Sequence, residues 1–117
     1  MRYLALIYSN EATEAPEGSP EASARMAGYA AFGEEAGRCG AIEGGERLRP
    51  VAAAKTVRVR DGKTSCIDGP FAETREQLGG FYLLNCKTIE EAVELAAMIP
   101  GAVTGSIEVR PIWEMGE

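Results

Sequence analysis

Between Val57 and Ile67 the chain can do little but fold back on itself. Val57-Arg58-Val59-Arg60 alternates apolar and charged residues, Lys63-Thr64-Ser65-Cys66-Ile67 follows, and Asp61-Gly62 stands between the two runs. Asp-Gly flanked by alternating segments selects a two-residue turn with positive φ at its centre, the turn that matches the natural twist of paired strands. The predicted pairs are Arg60 with Lys63, Val59 with Thr64 and Val57 with Cys66. Val57, Val59, Thr64 and Cys66 then share an inner face, while Arg58, Arg60, Lys63 and Ser65 face outward.

The flanking segments place this hairpin in a larger pattern. Tyr3 to Tyr8 is short and apolar and reads as a buried strand. Asn10 to Gly18, with three Glu, a Pro and a Gly, reads as an exposed loop. Ser19-Pro20-Glu21 opens a helix, with Ser as N-cap, Pro at the first position and a carboxylate in the first turn. Met26, Tyr29, Phe32 and Ala36 form its apolar stripe, and Gly40 stops it. Gly28, Gly33 and Gly37 weaken this helix, and close approach to a sheet is the benefit expected in return. Phe81 to Leu84 is continuously apolar, as a central strand is, and Gly79-Gly80 before it marks a bulge or a close backbone approach. Thr88-Ile89-Glu90-Glu91 is a capping box. Ile89, Ala92, Val93, Ala96 and Ile99 give the second helix its stripe, and Pro100-Gly101 ends it. Ser106 to Trp113 alternates, with Ile107, Val109 and Trp113 on one face.

Strand, helix, hairpin, strand, helix, strand is the split β-α-β order of a ferredoxin-like α+β sandwich with an antiparallel sheet. Two helices cover one face of such a sheet. Tyr3 to Tyr8 and Phe81 to Cys86 are apolar on both sides, so a dimer packed sheet on sheet is expected to cover the other.

Composition removes whole classes of chemistry. The 117 residues suit one domain, residues 1–117. There is no His, which excludes Ser-His-Asp and Cys-His catalysis and His-ligated metals. Eighteen acids against twelve bases leave a net charge of −6 without a basic half, which argues against a nucleic-acid surface. Three cysteines without a C-x-x-C pair make neither a disulfide framework nor a zinc site, and fit a reducing cytoplasm. Cys66 and Cys86 read as small apolar fillers on strands. A metal would have to be held by carboxylates alone, and no spacing requires one. No cofactor loop is present: Gly79-Gly80 precedes a strand rather than opening a helix. No apolar run approaches the ~18 residues of a membrane span.

The segment from Asp68 to Gly80 concentrates polar chemistry between two apolar strands. Asp68 allows two readings. Asp-Gly-Pro is a sound turn by itself, with Asp capping local amides. Desolvated at the mouth of a pocket, the same carboxylate would serve as a general acid or base, with Glu73 as a second carboxylate to divide the roles. Arg75 and Arg49 are candidates to hold an anionic group through their forked donors, and Phe71 and Tyr82 to line the pocket. The alternative for Glu73 to Gln77 is a solvated loop, and for Tyr82 a core residue with a satisfied hydroxyl.

The run DGPFAETREQLGGFYLL, residues 68–84, resembles the signature of the DGPF family within the YCII-related proteins. The opening MRYLALIYSNE, the GGERLRP segment at 44–50, the TVRVRDG hairpin and the ending GSIEVRPIWEM are similar too. The resemblance implies a dimeric ferredoxin-like α+β barrel and no established general function. It allows a cofactor-free lyase or isomerase acting on a small polar or anionic metabolite. In the wider group an Asp and a His are the proposed active pair. Asp68 matches the Asp, and nothing here matches the His. The resemblance also leaves open a sensing module without catalysis, or an interaction partner of an extracytoplasmic-function sigma factor.

Overall fold

A computed structural model describes residues 1–116. Nine elements follow one another: β1 (Arg2–Ser9), α1 (Pro20–Arg38), β2 (Ile42–Arg47), β3 (Lys55–Arg60), β4 (Lys63–Asp68), β5 (Gln77–Asn85), α2 (Ile89–Ala96), α3 (Gly101–Thr104) and β6 (Ser106–Pro111), with 3₁₀ turns at Glu11–Thr13 and Val51–Ala53. Four strands form an antiparallel sheet in the order β2-β5-β1-β6. With the hairpin set aside, that is the order of a ferredoxin-like α+β fold.

One strand of this sheet is absent from the alternation pattern. β2, Ile-Glu-Gly-Gly-Glu-Arg, holds a single apolar side chain. Its glycine serves packing: a Cβ on Gly45 would lie 2.8 Å from the Phe81 carbonyl oxygen and from the Tyr82 ring. The hairpin expected to join the sheet instead forms a separate two-stranded ribbon. Its internal register is as predicted, Arg60 opposite Lys63, Val59 opposite Thr64 and Val57 opposite Cys66. Asp61 (φ 52°) and Gly62 (φ 73°) make the expected turn. Val57, Val59, Thr64 and Cys66 do share one face, but it is not an inner one: Val57 and Val59 are 61% and 58% exposed and Cys66 is exposed as well. Cys86 is buried as expected.

Ser19 caps α1 by accepting from the Ala22 amide, and Thr88 caps α2 by accepting from the Glu91 amide. The core lies between these helices and one face of the sheet. Tyr3, Ala5 and Ile7 of β1, Leu84 of β5, Phe32 and Ala36 of α1, and Ala92 and Ala96 of α2 meet there with Ile99. Ile89 and Val93 are exposed, so the second apolar stripe is narrower than its sequence. Pro100-Gly101 opens α3 instead of ending α2, which stops at Ala96. A proline fits the start of a helix because its missing N–H has no role there. Trp113 leaves the face of Ile107 and Val109 and is 85% exposed. Pro111, which has no N–H for the ladder, ends the strand two residues earlier. Gly33 and Gly37 face open space, and Gly28 approaches Pro100, so none of the three brings α1 onto the sheet.

The bulge expected near Gly79-Gly80 is present. Ile7 pairs with Gly80 and Tyr8 with Leu78, which leaves Gly79 unpaired. The bulge lies where β5 passes the end of β2, and it shapes the wall of the cleft described next.

Candidate functional site

A cleft of about 390 Å³ opens between α1, the ends of β1 and β2, and the glycine bulge of β5. Ile7 and Met26 supply apolar lining, and Tyr29 and Tyr82 bring hydroxyls. Tyr82 lies against Phe32 with ring centroids 4.9 Å apart at 55°. Burial pushes the Tyr82 hydroxyl above its ordinary pKa, and neighbouring Tyr29 adds to the shift. Burial raises Tyr29 too, opposed by the charge of Arg25 and a hydrogen bond with the Gly101 backbone. Both phenols are therefore held neutral, as hydrogen-bonding groups.

Two arginines edge the cleft, and their situations differ. Arg25 is committed: its guanidinium donates to Thr104 Oγ1 at 2.9 Å and reaches Glu14 at 3.4 Å. Glu14 also accepts from Ser9 Oγ at 2.6 Å. Glu11 is held at both ends, its carboxylate accepting from the Val51 amide (3.1 Å) and its amide donating to Gln77 Oε1 (2.9 Å). Arg47 lines the same cleft from the end of β2 and has no carboxylate partner among the described residues. A guanidinium with its fork free beside two neutral phenols is suited to a carboxylate or phosphate.

Of the residues singled out in the sequence, Tyr82 alone stands in this cleft. Asp68 ends β4 with its side chain 86% exposed and pairs with Lys55 at 2.5 Å. It does not cap the turn amides. The turn after it is closed by the Gly69 amide donating to the Ala54 carbonyl (2.7 Å) and by the Thr56 hydroxyl donating to the Gly69 carbonyl (2.9 Å). Glu73, Arg75 and Arg49 are exposed, and Phe71 is 77% exposed. Within one chain the structure does not bring these five together with Tyr82. The signature run still reaches the cleft through its C-terminal part, Gly79 to Tyr82. Arg47 and Arg25 escaped the sequence reading, in which Tyr29 figures only as part of the apolar stripe of α1. Arg47 shares its parity with Arg49, but the strand that carries it has too few apolar residues to announce itself. Among the described residues no three Cys, Asp or Glu side chains cluster as a metal site would require, and no helix is long and apolar enough to cross a membrane.

Fold and cleft together define a ferredoxin-like α+β protein with a small-molecule-sized recess at one end of its sheet. The profile of the YCII-related domain matches residues 1–116, and the chain belongs to that family. An uncharacterized protein of Rhizobium meliloti (strain 1021), R00369, is 40% identical over 117 residues, a match spanning 96% of this chain and 92% of that one.

Proposed function

We propose that the chain binds a small anionic metabolite in the Arg47 cleft, acting in the cytoplasm as a homodimer. The observation that carries the reading is the Arg47 guanidinium, without a carboxylate partner among the described residues, in a recess where Glu11, Glu14 and Arg25 are already engaged. A cleft of about 390 Å³ suits a molecule of metabolite size. Arg47 pairs with the anionic group, Tyr29 and Tyr82 donate to its oxygens, and Ile7 and Met26 take its apolar part. The family has no established activity, so binding comes first and turnover second. A cofactor-free lyase or isomerase at this site uses Tyr29 or Tyr82 to move a proton. Asp68 and Glu73 contribute as acid and base only where a second subunit covers them, since each stands in solvent. The homodimer is supported by the uncovered sheet face, where Leu4 and Leu6 of β1 stand opposite Leu83 and Phe81 of β5.

A thermal-shift screen with short mono- and dicarboxylates and with inorganic phosphate tests this. Ligand at 100 times its Kd adds about 2.7 kcal/mol of stability, a shift of several degrees for a chain of this size. The shift is expected in wild type and Asp68→Asn and absent in Arg47→Ala. A shift retained by Arg47→Ala, or no shift with any probe, overturns the cleft and moves the weight to the interaction reading.

A further inference from the structure

Two glutamates reach the cleft from the segment after β1, and they are held differently. The Glu11 carboxylate accepts from a backbone amide, that of Val51. The Glu14 carboxylate accepts from two side chains, Ser9 Oγ at 2.6 Å and the Arg25 guanidinium at 3.4 Å. Glu14 belongs to a stretch with little apolar anchorage: of residues 12–18 only Ala15 is not exposed. Among the described residues, the other hydrogen bonds of this stretch run to Asn10, Glu11 and Ser19, which are its own ends. The Glu14 carboxylate therefore ties the middle of the stretch to the body.

The donors that hold it belong to the rigid part of the molecule. Ser9 ends β1, and Arg25 stands one turn before Tyr29 on α1. The second arm of the Arg25 fork donates to Thr104 Oγ1 at 2.9 Å, which fixes the guanidinium from the other side. Its 3.4 Å approach to Glu14 is long beside the 2.7–2.9 Å usual for a charged pair of this kind. A carboxylate not tethered to the loop could come closer. The charges of Arg25, Arg47 and Glu14 all act on the Tyr29 hydroxyl, so two guanidinium groups and one carboxylate gather about a single part of the cleft. Glu14, Arg25, Met26 and Arg47 also line a second recess, of about 530 Å³, on the side of Gly18. Glu14 thus stands where the two recesses meet.

We propose that the Glu14 carboxylate holds the place of a ligand's second acidic group, so that the cleft takes a dicarboxylic acid: one carboxylate pairs with Arg47, and the other displaces Glu14 from Ser9 Oγ and Arg25. The proposal rests on the anion reading of the Arg47 cleft and deepens it by naming the ligand class. The exchange balances charge, since one carboxylate enters as another leaves for water, and Ser9 and Arg25 stay paired throughout. Little opposes the departure of Glu14, because its side chain is already 38% exposed and ion pairs in such surroundings are weak. A monocarboxylic acid meets Arg47 alone and leaves Glu14 where it is. A neutral tail cannot serve the donors that Glu14 would abandon, so the loop selects for two charges over one.

The test is titration calorimetry of the full chain with succinate, glutarate and adipate, each beside the monoacid of equal chain length, butyrate, pentanoate or hexanoate. Salt is kept at about 0.15 M, which screens the through-space effect of a lost charge. Wild type is expected to bind at least one diacid more tightly than its monoacid. Glu14→Ala is expected to tighten that diacid about tenfold, the worth of one charge-assisted contact no longer competed for, and to leave the monoacid nearly unchanged. Adding Ser9→Ala to Glu14→Ala is expected to weaken the diacid and not the monoacid. In wild type, cleavage after Glu14 by a glutamate-specific protease should quicken with the diacid and not with the monoacid. A diacid that gains no more than its monoacid from Glu14→Ala, or loses affinity there, makes Glu14 a structural tie and overturns the exchange while sparing the cleft. Cleavage unmoved by a diacid that binds also overturns the exchange. Binding of both acids that survives Arg47→Ala, or no binding by wild type and Glu14→Ala alike, overturns the cleft reading and the exchange with it.

Discussion

The body and the β3–β4 ribbon, which stands off it as an arm, are both built from antiparallel strands, yet they differ in what happens to their apolar residues. In the body, β1 is paired on both sides, by β5 and β6, and helices cover one of its faces. Leu84 and Ile99 are there removed from water entirely. In the arm, β3 and β4 pair only with each other, and Val57, Val59 and Ile67 remain more than half exposed. Pairing and burial are therefore separable. A hairpin ladder needs only a turn and a register, both local in the chain, whereas burial needs a second layer that some distant segment must supply. The body should accordingly hold nearly all the stability of the single chain.

The largest contrast is between truncations in the two regions. Leu84→Ala removes a fully buried side chain and should cost about 2–5 kcal/mol in chemical denaturation. Val59→Ala, measured in dilute monomer, should stay within about 0.5 kcal/mol. Comparable losses would mean that the arm packs on something within its own chain.

Glycines sharpen the same comparison, because the two regions use them for different reasons. A Cβ at Gly80 would sit 2.7 Å from the Glu46 carbonyl oxygen, a backbone atom that cannot rotate away. Gly80→Ala should therefore push β2 from β5 at a cost of about 1–3 kcal/mol, and it should also deform the cleft wall and weaken ligand binding. Gly62 has open space around it but a φ of 73°. Gly62→Ala should cost only the left-handed strain, about 1–2 kcal/mol, and should leave the cleft unaffected. An Ala at position 80 that binds ligand normally would detach the bulge from the site.

What the sequence made legible follows the local–distant divide. The hairpin register, its turn and the caps at Ser19 and Thr88 rest on contacts a few residues apart, and all were readable. The order of elements was readable because periodicity marks β1, α1, β5, α2 and β6. β2 was not, since Gly44, Gly45 and two Glu conceal a strand whose fitness lies in how closely it approaches β5. That strand carries Arg47, so the free arginine of the cleft was not legible either. Asp68 drew notice as an acid between apolar runs, but its surroundings depend on which layer covers the arm. Alternation cannot show that.

The cleft phenols give a pH dependence with a definite sign. Burial raises the pKa of Tyr82 and Tyr29 above the ordinary value near 10, so folding favours the protonated form. Their contribution to stability is complete below that value and is lost as pH rises through the raised folded one. Alkaline denaturation and absorbance titration of the phenolate should show a late-titrating step that Tyr82→Phe removes. A step at ordinary pH, unchanged in the variant, would open the cleft to solvent and weaken the case for a dry, neutral binding wall.

The smallest effect falls on α1, and it tests whether that helix is free in the assembled protein. A Cβ at Gly33 or Gly37 meets nothing within 4 Å, so the ordinary helix preference applies and Gly33→Ala and Gly37→Ala should each stabilise by about 0.5–1 kcal/mol. Gly28→Ala should gain less or nothing, because its Cβ would stand 2.9 Å from Pro100 Cγ and the proline ring must shift. Thermal melts at low and at high protein concentration separate two causes. A gain at both concentrations means that this side of α1 stays in water whether or not the chain self-associates. A gain at low concentration that turns into a loss at high concentration means that a second copy packs over Gly33, so that self-association involves the helical layer.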